Sequence, residues 1–103
     1  MTTKEVVLDF IKEIRKYGDE VVTLFTRGYC YYFCIILKER FGDEVEIYYD
    51  VVEGHMVSKI GNSFFDITGE IEYNKYMKSF PKEIDAAQLN VIIRDVILKE
   101  KFF

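Results

Sequence analysis

The spacing of apolar residues changes period several times along the chain, and each change marks an element. Val7, Phe10, Ile11 and Ile14 recur at three- and four-residue intervals and Gly18 follows as a stop, so the spacing predicts an amphipathic helix over residues 3–17. Thr2 and Glu5 stand at its start at the T-x-x-E spacing of a capping box, in which each side chain satisfies a backbone N–H at the helix start. Residues 20–26, EVVTLFT, fit either a short strand or an extended connection. From Tyr29 to Phe41 there is no glycine or proline, and charge enters only at Lys38, Glu39 and Arg40. That stretch predicts a helix that is apolar on every side and buried at the centre of the fold, ended by Phe41-Gly42-Asp43.

The period then shortens. VEIYYDVV (45–52), HMVSKI (55–60) and SFFDIT (63–68) are rich in β-branched and aromatic residues and are separated by turn residues, as strands are. Gly61-Asn62 is a two-residue loop of the kind that closes a tight hairpin. NKYMKSF predicts a short helix ahead of Pro81, while Leu89, Ile92, Ile93, Val96 and Ile97 return to helical spacing and predict a closing helix over 85–100, whose β-branched content leaves a strand open. The expectation is an α+β fold. A buried cysteine-bearing helix packs on a small antiparallel sheet, with helices at both termini.

Composition narrows the classes. A chain of 103 residues fits a single domain over 1–103 that buries roughly two thirds of the surface its unfolded form exposes, so no disulfide is needed to stabilise it. Half of the residues are apolar and 17% aromatic, which favours a packed core over disorder. The 14 basic residues are scattered among 18 acids for a net charge of −4; no basic stripe offers itself to phosphates, and nucleic acid is set aside as a partner. No apolar stretch approaches the roughly 18 residues that span a bilayer, so no membrane is implied and the expected location is the cytoplasm. Thiols stay reduced there, and cysteines four apart on a helix suit a disulfide poorly.

Candidate chemistry collects at three residues. If Gly61-Asn62 is a two-residue loop, Ile60 pairs with Ser63, Val57 with Asp66 and His55 with Thr68, which puts His55 and Asp66 on one face as diagonal neighbours. A carboxylate so placed fixes an imidazole's tautomer and stabilises its charged form. Cys30 falls in the first turn of the buried helix, where free backbone N–H groups favour a thiolate and can meet an oxyanion. Cys34, one turn deeper, is expected to be an inert packed thiol. Each residue alone has a plain structural role: a packed thiol, a hydrogen-bonded strand histidine, a turn-capping aspartate. Their joint occurrence in this order points to nucleophilic catalysis. A metal site of Cys30, Cys34, His55 and Asp66 fits poorly, because C-x₃-C inside an apolar helix is not the spacing zinc sites use. No metal or cofactor is called for. Neither a phosphate-cradling glycine loop nor a spaced carboxylate pair occurs, and the tyrosines (Tyr29, Tyr31, Tyr32, Tyr48, Tyr49, Tyr73, Tyr76) read as core and cleft wall.

The order Cys30, His55, Asp66, with Gly28-Tyr29-Cys30-Tyr31 at the helix start, resembles the papain-like superfamily with its NlpC-like and transglutaminase-like branches. The stretches GYCYYF, LKERF, Gly54-His55 and FDITG, over residues 28–69, resemble more closely a group of small uncharacterised proteins of bacteria and phages with the pattern G-x-C-Y-x-F, G-H, F/Y-D-I-T-G. The resemblance implies Cys30 as nucleophile, His55 as base and Asp66 as its orienter. It differs from papain-type peptidases in two ways. The glutamine that serves their oxyanion hole is missing upstream of Cys30, Gln88 being the one glutamine, and Cys30 and His55 stand only 25 positions apart (55 − 30). The implied function is a cysteine-dependent hydrolase or acyl-transferase acting on a peptide or a small amide or thioester. The alternative is a non-catalytic interaction protein with a protein partner, such as a phage-type inhibitor of a host defence complex.

Overall fold

The computed structural model describes residues 3–98. Helix α1 spans Thr3–Arg15, close to the predicted 3–17, with Val7 and Ile11 as its buried positions. The proposed capping role of Thr2 lies outside the described residues. Residues 20–26 form neither a strand nor an extended link; they belong to a second helix, α2, Asp19–Arg27. The reason is packing. Val22 and Phe25, three apart, turn one helical face onto the core, and that burial overrides the strand preference of the valines.

Helix α3, Cys30–Phe41, lies at the centre, against α2 on one side and the sheet on the other. Its buried residues are Cys30, Phe33, Cys34 and Leu37, a single i, i+3, i+4, i+7 stripe, and Tyr32 is 40% exposed. The helix is therefore central, but it is not covered on every side. A short 3₁₀ turn, Gly42–Glu44, leads into strand β1, Val45–Asp50, which ends earlier than the predicted 45–52.

Strands β2, His55–Ile60, and β3, Ser63–Asp66, form the hairpin, with Gly61 at a positive φ of 63°. Ile60 pairs with Ser63, Lys59 with Phe64 and Ser58 with Phe65, the register that the two-residue loop predicts. Two strands escape the sequence pattern, β4 (Gly69–Ile71) and β5 (Met77–Ser79). NKYMKSF is thus not a helix: Met77–Ser79 adds to the edge of β1, with Tyr48 opposite Ser79. The sheet is antiparallel throughout, in the order β4-β3-β2-β1-β5, and the architecture is α+β.

The sheet's two faces are both apolar. Val45, Ile60, Phe65 and Ile67 meet Val7 and Ile11 of α1 and Phe33 and Leu37 of α3, each fully buried side chain contributing about 1.5–3 kcal/mol. Beside them Cys30, Cys34, Tyr49 and Met56 join Ile84 and Ile92 in a second cluster. Val57, Phe64 and Met77 pack on the opposite face with Tyr48 and Ile71, following the two-residue alternation of strands. Helix α4, Ala86–Ile92, is capped by the Asp85 carboxylate, which accepts from the Gln88 N–H at 2.8 Å, and runs on as a π-helical segment, Ile93–Ile97. The closing segment is helical, and residues 99–100 of the predicted 85–100 lie outside the described residues. Tyr29, Tyr32, Tyr73 and Tyr76 are exposed, so the tyrosines do not all serve as core or cleft wall. Among the described residues no single helix is long and apolar enough to cross a membrane.

Candidate active site

Cys30 is the first residue of α3. Ahead of it the Gly28 and Tyr29 N–H groups both donate to the Leu24 carbonyl, at 3.3 and 3.1 Å, which closes α2 and turns the chain so that α3 starts at the sheet's end. The β2–β3 register, continued, would set Met56 against Ile67, but β3 stops at Asp66. The Met56 N–H donates to Cys30 Sγ instead, at 3.4 Å. The sulfur thus takes a backbone donor where the ladder ends, a contact that favours its anionic form.

His55 opens β2, and its Nε2 lies 3.1 Å from Asp66 Oδ2, the side chains being 20% and 13% exposed. Asp66 is held in turn: its Oδ1 accepts from the Thr68 N–H at 2.8 Å and from the Thr68 hydroxyl. Arg15 of α1 donates to the Thr68 carbonyl at 3.2 Å and ties this turn to the helix layer. The Asp66 carboxylate, then the Cys30 sulfur, push the His55 pKa up to about 9, and burial only partly opposes them. Burial would raise the Asp66 pKa, but His55 and Thr68 outweigh it and hold the carboxyl below its ordinary value. With Nε2 committed to Asp66, Nδ1 is the nitrogen left to exchange a proton with the sulfur.

All three residues singled out in the sequence are therefore brought together at one end of the sheet. Both cysteines are free thiols. Cys34 is 1% exposed, and burial pushes its pKa up to about 12, with the Ser58 hydroxyl beside it as a weaker opposing influence. Burial thus favours its neutral thiol form. Among the described residues no three His, Cys, Asp or Glu side chains converge as metal ligands.

Asp50 escapes the sequence reading, which takes its neighbour Tyr49 only as core or cleft wall. Asp50 lies directly across the ladder from His55 and is 4% exposed. Tyr49 has its pKa raised by burial, then by the charges of Cys30 and Asp50, and its hydroxyl would lie 3.6 Å from a Cβ at Gly54. Asp50 sits inside a strand pattern in which nothing marks it; the one available signal was a lone buried-strand carboxylate four residues before the Gly54-His55 pair. Clefts of about 660 and 440 Å³ lie elsewhere, the first by Gly61 and Asn62 and the second by Tyr31 and Phe80, and neither takes a wall from Cys30, His55 or Asp66.

A family model described as Phage YunG-like protein matches residues 7–102. The chain belongs to the Phage YunG-like family. The matched span includes Cys30, His55 and Asp66 as well as Tyr49 and Asp50. No curated protein and no solved structure matches the chain.

Proposed function

We propose that this phage-type protein is a cysteine-dependent hydrolase or acyl-transferase with a papain-like arrangement, in which Cys30 attacks an amide or thioester carbonyl. The observation that carries the reading is one line of neighbours: the Met56 N–H donates to Cys30 Sγ, His55 Nε2 meets Asp66, and Cys30 follows Asp66 as a cause of the raised His55 pKa. In such an arrangement the thiolate forms a bond to the carbonyl carbon and the carbonyl electrons move to oxygen. The first-turn N–H groups of α3 stand in for the missing upstream glutamine as donors to that oxyanion. The tetrahedral species then collapses, and the imidazolium hands its Nδ1 proton to the departing amine or thiol, leaving an S-acyl enzyme. Water, deprotonated by the now neutral His55, releases the acid and restores the thiolate; an amine or thiol acceptor in place of water completes a transfer.

The test is acetylation by p-nitrophenyl acetate, followed by intact mass and peptide mapping. An acetyl group appears on Cys30 in the wild type and in Cys34→Ala, and forms at least about tenfold more slowly in His55→Ala, the contribution expected of a general base and ion-pair partner. Equal acetylation of Cys30 in His55→Ala would defeat the reading. A second reading is a non-catalytic interaction protein acting against a host complex. It draws on the net charge of −4 and on the phage family, and full partner capture by Cys30→Ala together with no acetylation of Cys30 would favour it.

A further inference from the structure

Asp50 is an acid on the β1–β2 strand pair whose two carboxylate oxygens both accept hydrogen bonds from the protein. Oδ1 accepts from the Val52 and Glu53 N–H groups at 2.9 and 3.0 Å, and Oδ2 accepts from Asn74 Nδ2 at 3.0 Å. The Asp50 carbonyl accepts from the Gly54 N–H at 2.9 Å, so one residue ties down the whole loop of residues 51–54. That loop ends at His55, the cross-strand partner of Asp50. Asn74 cannot simply rotate, because its Oδ1 already accepts from the Tyr76 N–H at 2.8 Å. Burial would raise the Asp50 pKa, but Asn74 and the two loop N–H groups outweigh it and keep the carboxyl ionised, with the charge of His55 adding to this.

We propose that Asp50, braced by Asn74, is a positioning residue for the site: it fixes the 51–54 loop and so holds the His55 imidazole between Cys30 and Asp66. The inference rests on the hydrolase reading for its purpose, although its geometry stands apart from it. The charged and titratable groups beside His55 are Cys30 from α3, Asp66 from β3 and Asp50 across the ladder on β1, and Tyr49, next to Asp50, feels the charges of Cys30 and Asp50. Asp50 acts through the loop rather than on a substrate. Its effect is therefore read on His55 and on Cys30 together.

The experiment uses the full chain as Asp50→Asn, Asn74→Asp and the reciprocal swap Asp50→Asn/Asn74→Asp, which exchanges donor and acceptor and restores the bond. Iodoacetamide labelling of Cys30 is followed against pH, and the His55 ring-proton NMR titration is followed for the same substitutions in a Cys30→Ala background. Asp50→Asn is expected to slow labelling at neutral pH by about tenfold and to lower the His55 midpoint by about one unit, the effect of losing one neighbouring acid and its order. The swap should recover labelling to within about threefold. Loosened packing alone would expose the buried Cys30 and raise labelling at every pH without moving the profile. Should Asp50→Asn fail to fold, Asn74→Ala, which leaves Asp50 in its loop, carries the test, with a drop of about threefold expected for one lost hydrogen bond. Unchanged labelling and an unchanged midpoint in the single variants, or a swap as slow as Asp50→Asn, overturns the proposal. If wild-type Cys30 labels as an ordinary thiol, the hydrolase reading fails on its own, and the His55 midpoint still decides for or against Asp50.

Discussion

Replacing Asp66 by asparagine tests the acid partner of His55 with almost no change in shape. The carbonyl of the new side chain can keep the Thr68 N–H, but its NH₂ group would face Nε2, which then must accept a hydrogen bond instead of donating one. In the wild type the rise from the ordinary 6.5 to about 9 corresponds to about 3 kcal/mol in favour of the imidazolium, with Asp66 the largest cause and Cys30 the next. Removing the first cause while burial persists should lower the midpoint by about 1–3 units. NMR titration of the His55 ring protons reads this directly. A midpoint within about 0.3 units of wild type would show that Asp66 is a structural neighbour and not the charge partner of the imidazole.

The stability consequence has a definite sign. A raised histidine pKa contributes in full below about 6.5 and is lost as pH climbs through the folded-state value. In a Cys30→Ala background, where no thiol titrates at the site, the unfolding free energy should therefore decline over that window, by no more than about 3 kcal/mol, and Asp66→Asn should flatten the decline. Urea denaturation at several pH values measures both curves. Parallel curves would remove Asp66 from the account.

Two further outcomes concern the frame. Cys34, pushed by burial to about 12, contributes stability fully present below about 8.5 and lost as pH rises through the folded-state value, so Cys34→Ala should lose stability less steeply than wild type between about pH 9 and 11 in denaturant titrations; equal slopes would contradict its burial as a neutral thiol. Gly54 has φ +64°, and Gly54→Ala should cost about 1–2 kcal/mol in urea unfolding and slow Cys30 labelling through the loop, whereas a neutral effect on both would mean that the loop does not set His55.

Much of this site was legible because side chains on strands alternate. A two-residue loop at Gly61-Asn62 leaves one register, and that register alone put His55 and Asp66 on a common face; the observed pairs from Ile60↔Ser63 to Ser58↔Phe65 follow it. The start of α3 was equally plain, since Gly28 interrupts and an unbroken apolar run follows. What escaped the sequence depends on tertiary partners. Met77–Ser79 is too short to display a period and becomes a strand only because β1 presents an open edge. In α2, local preference favoured extension, and the core contact of Val22 and Phe25 decided for helix. Asp50 was hidden for a related reason: its partners lie at 52, 53 and 74, and only the fold brings Asn74 across.

The central claim is that Cys30 is an activated thiol because His55 and a backbone N–H stabilise its charge. The rate of iodoacetamide labelling against pH, resolved by site, measures it most directly. Rapid labelling of Cys30 at about pH 6–7 is expected, abolished in Cys30→Ala, slowed in His55→Ala and retained in Cys34→Ala. A Cys30 profile that rises only near about pH 8.5 and is indifferent to His55→Ala would contradict it.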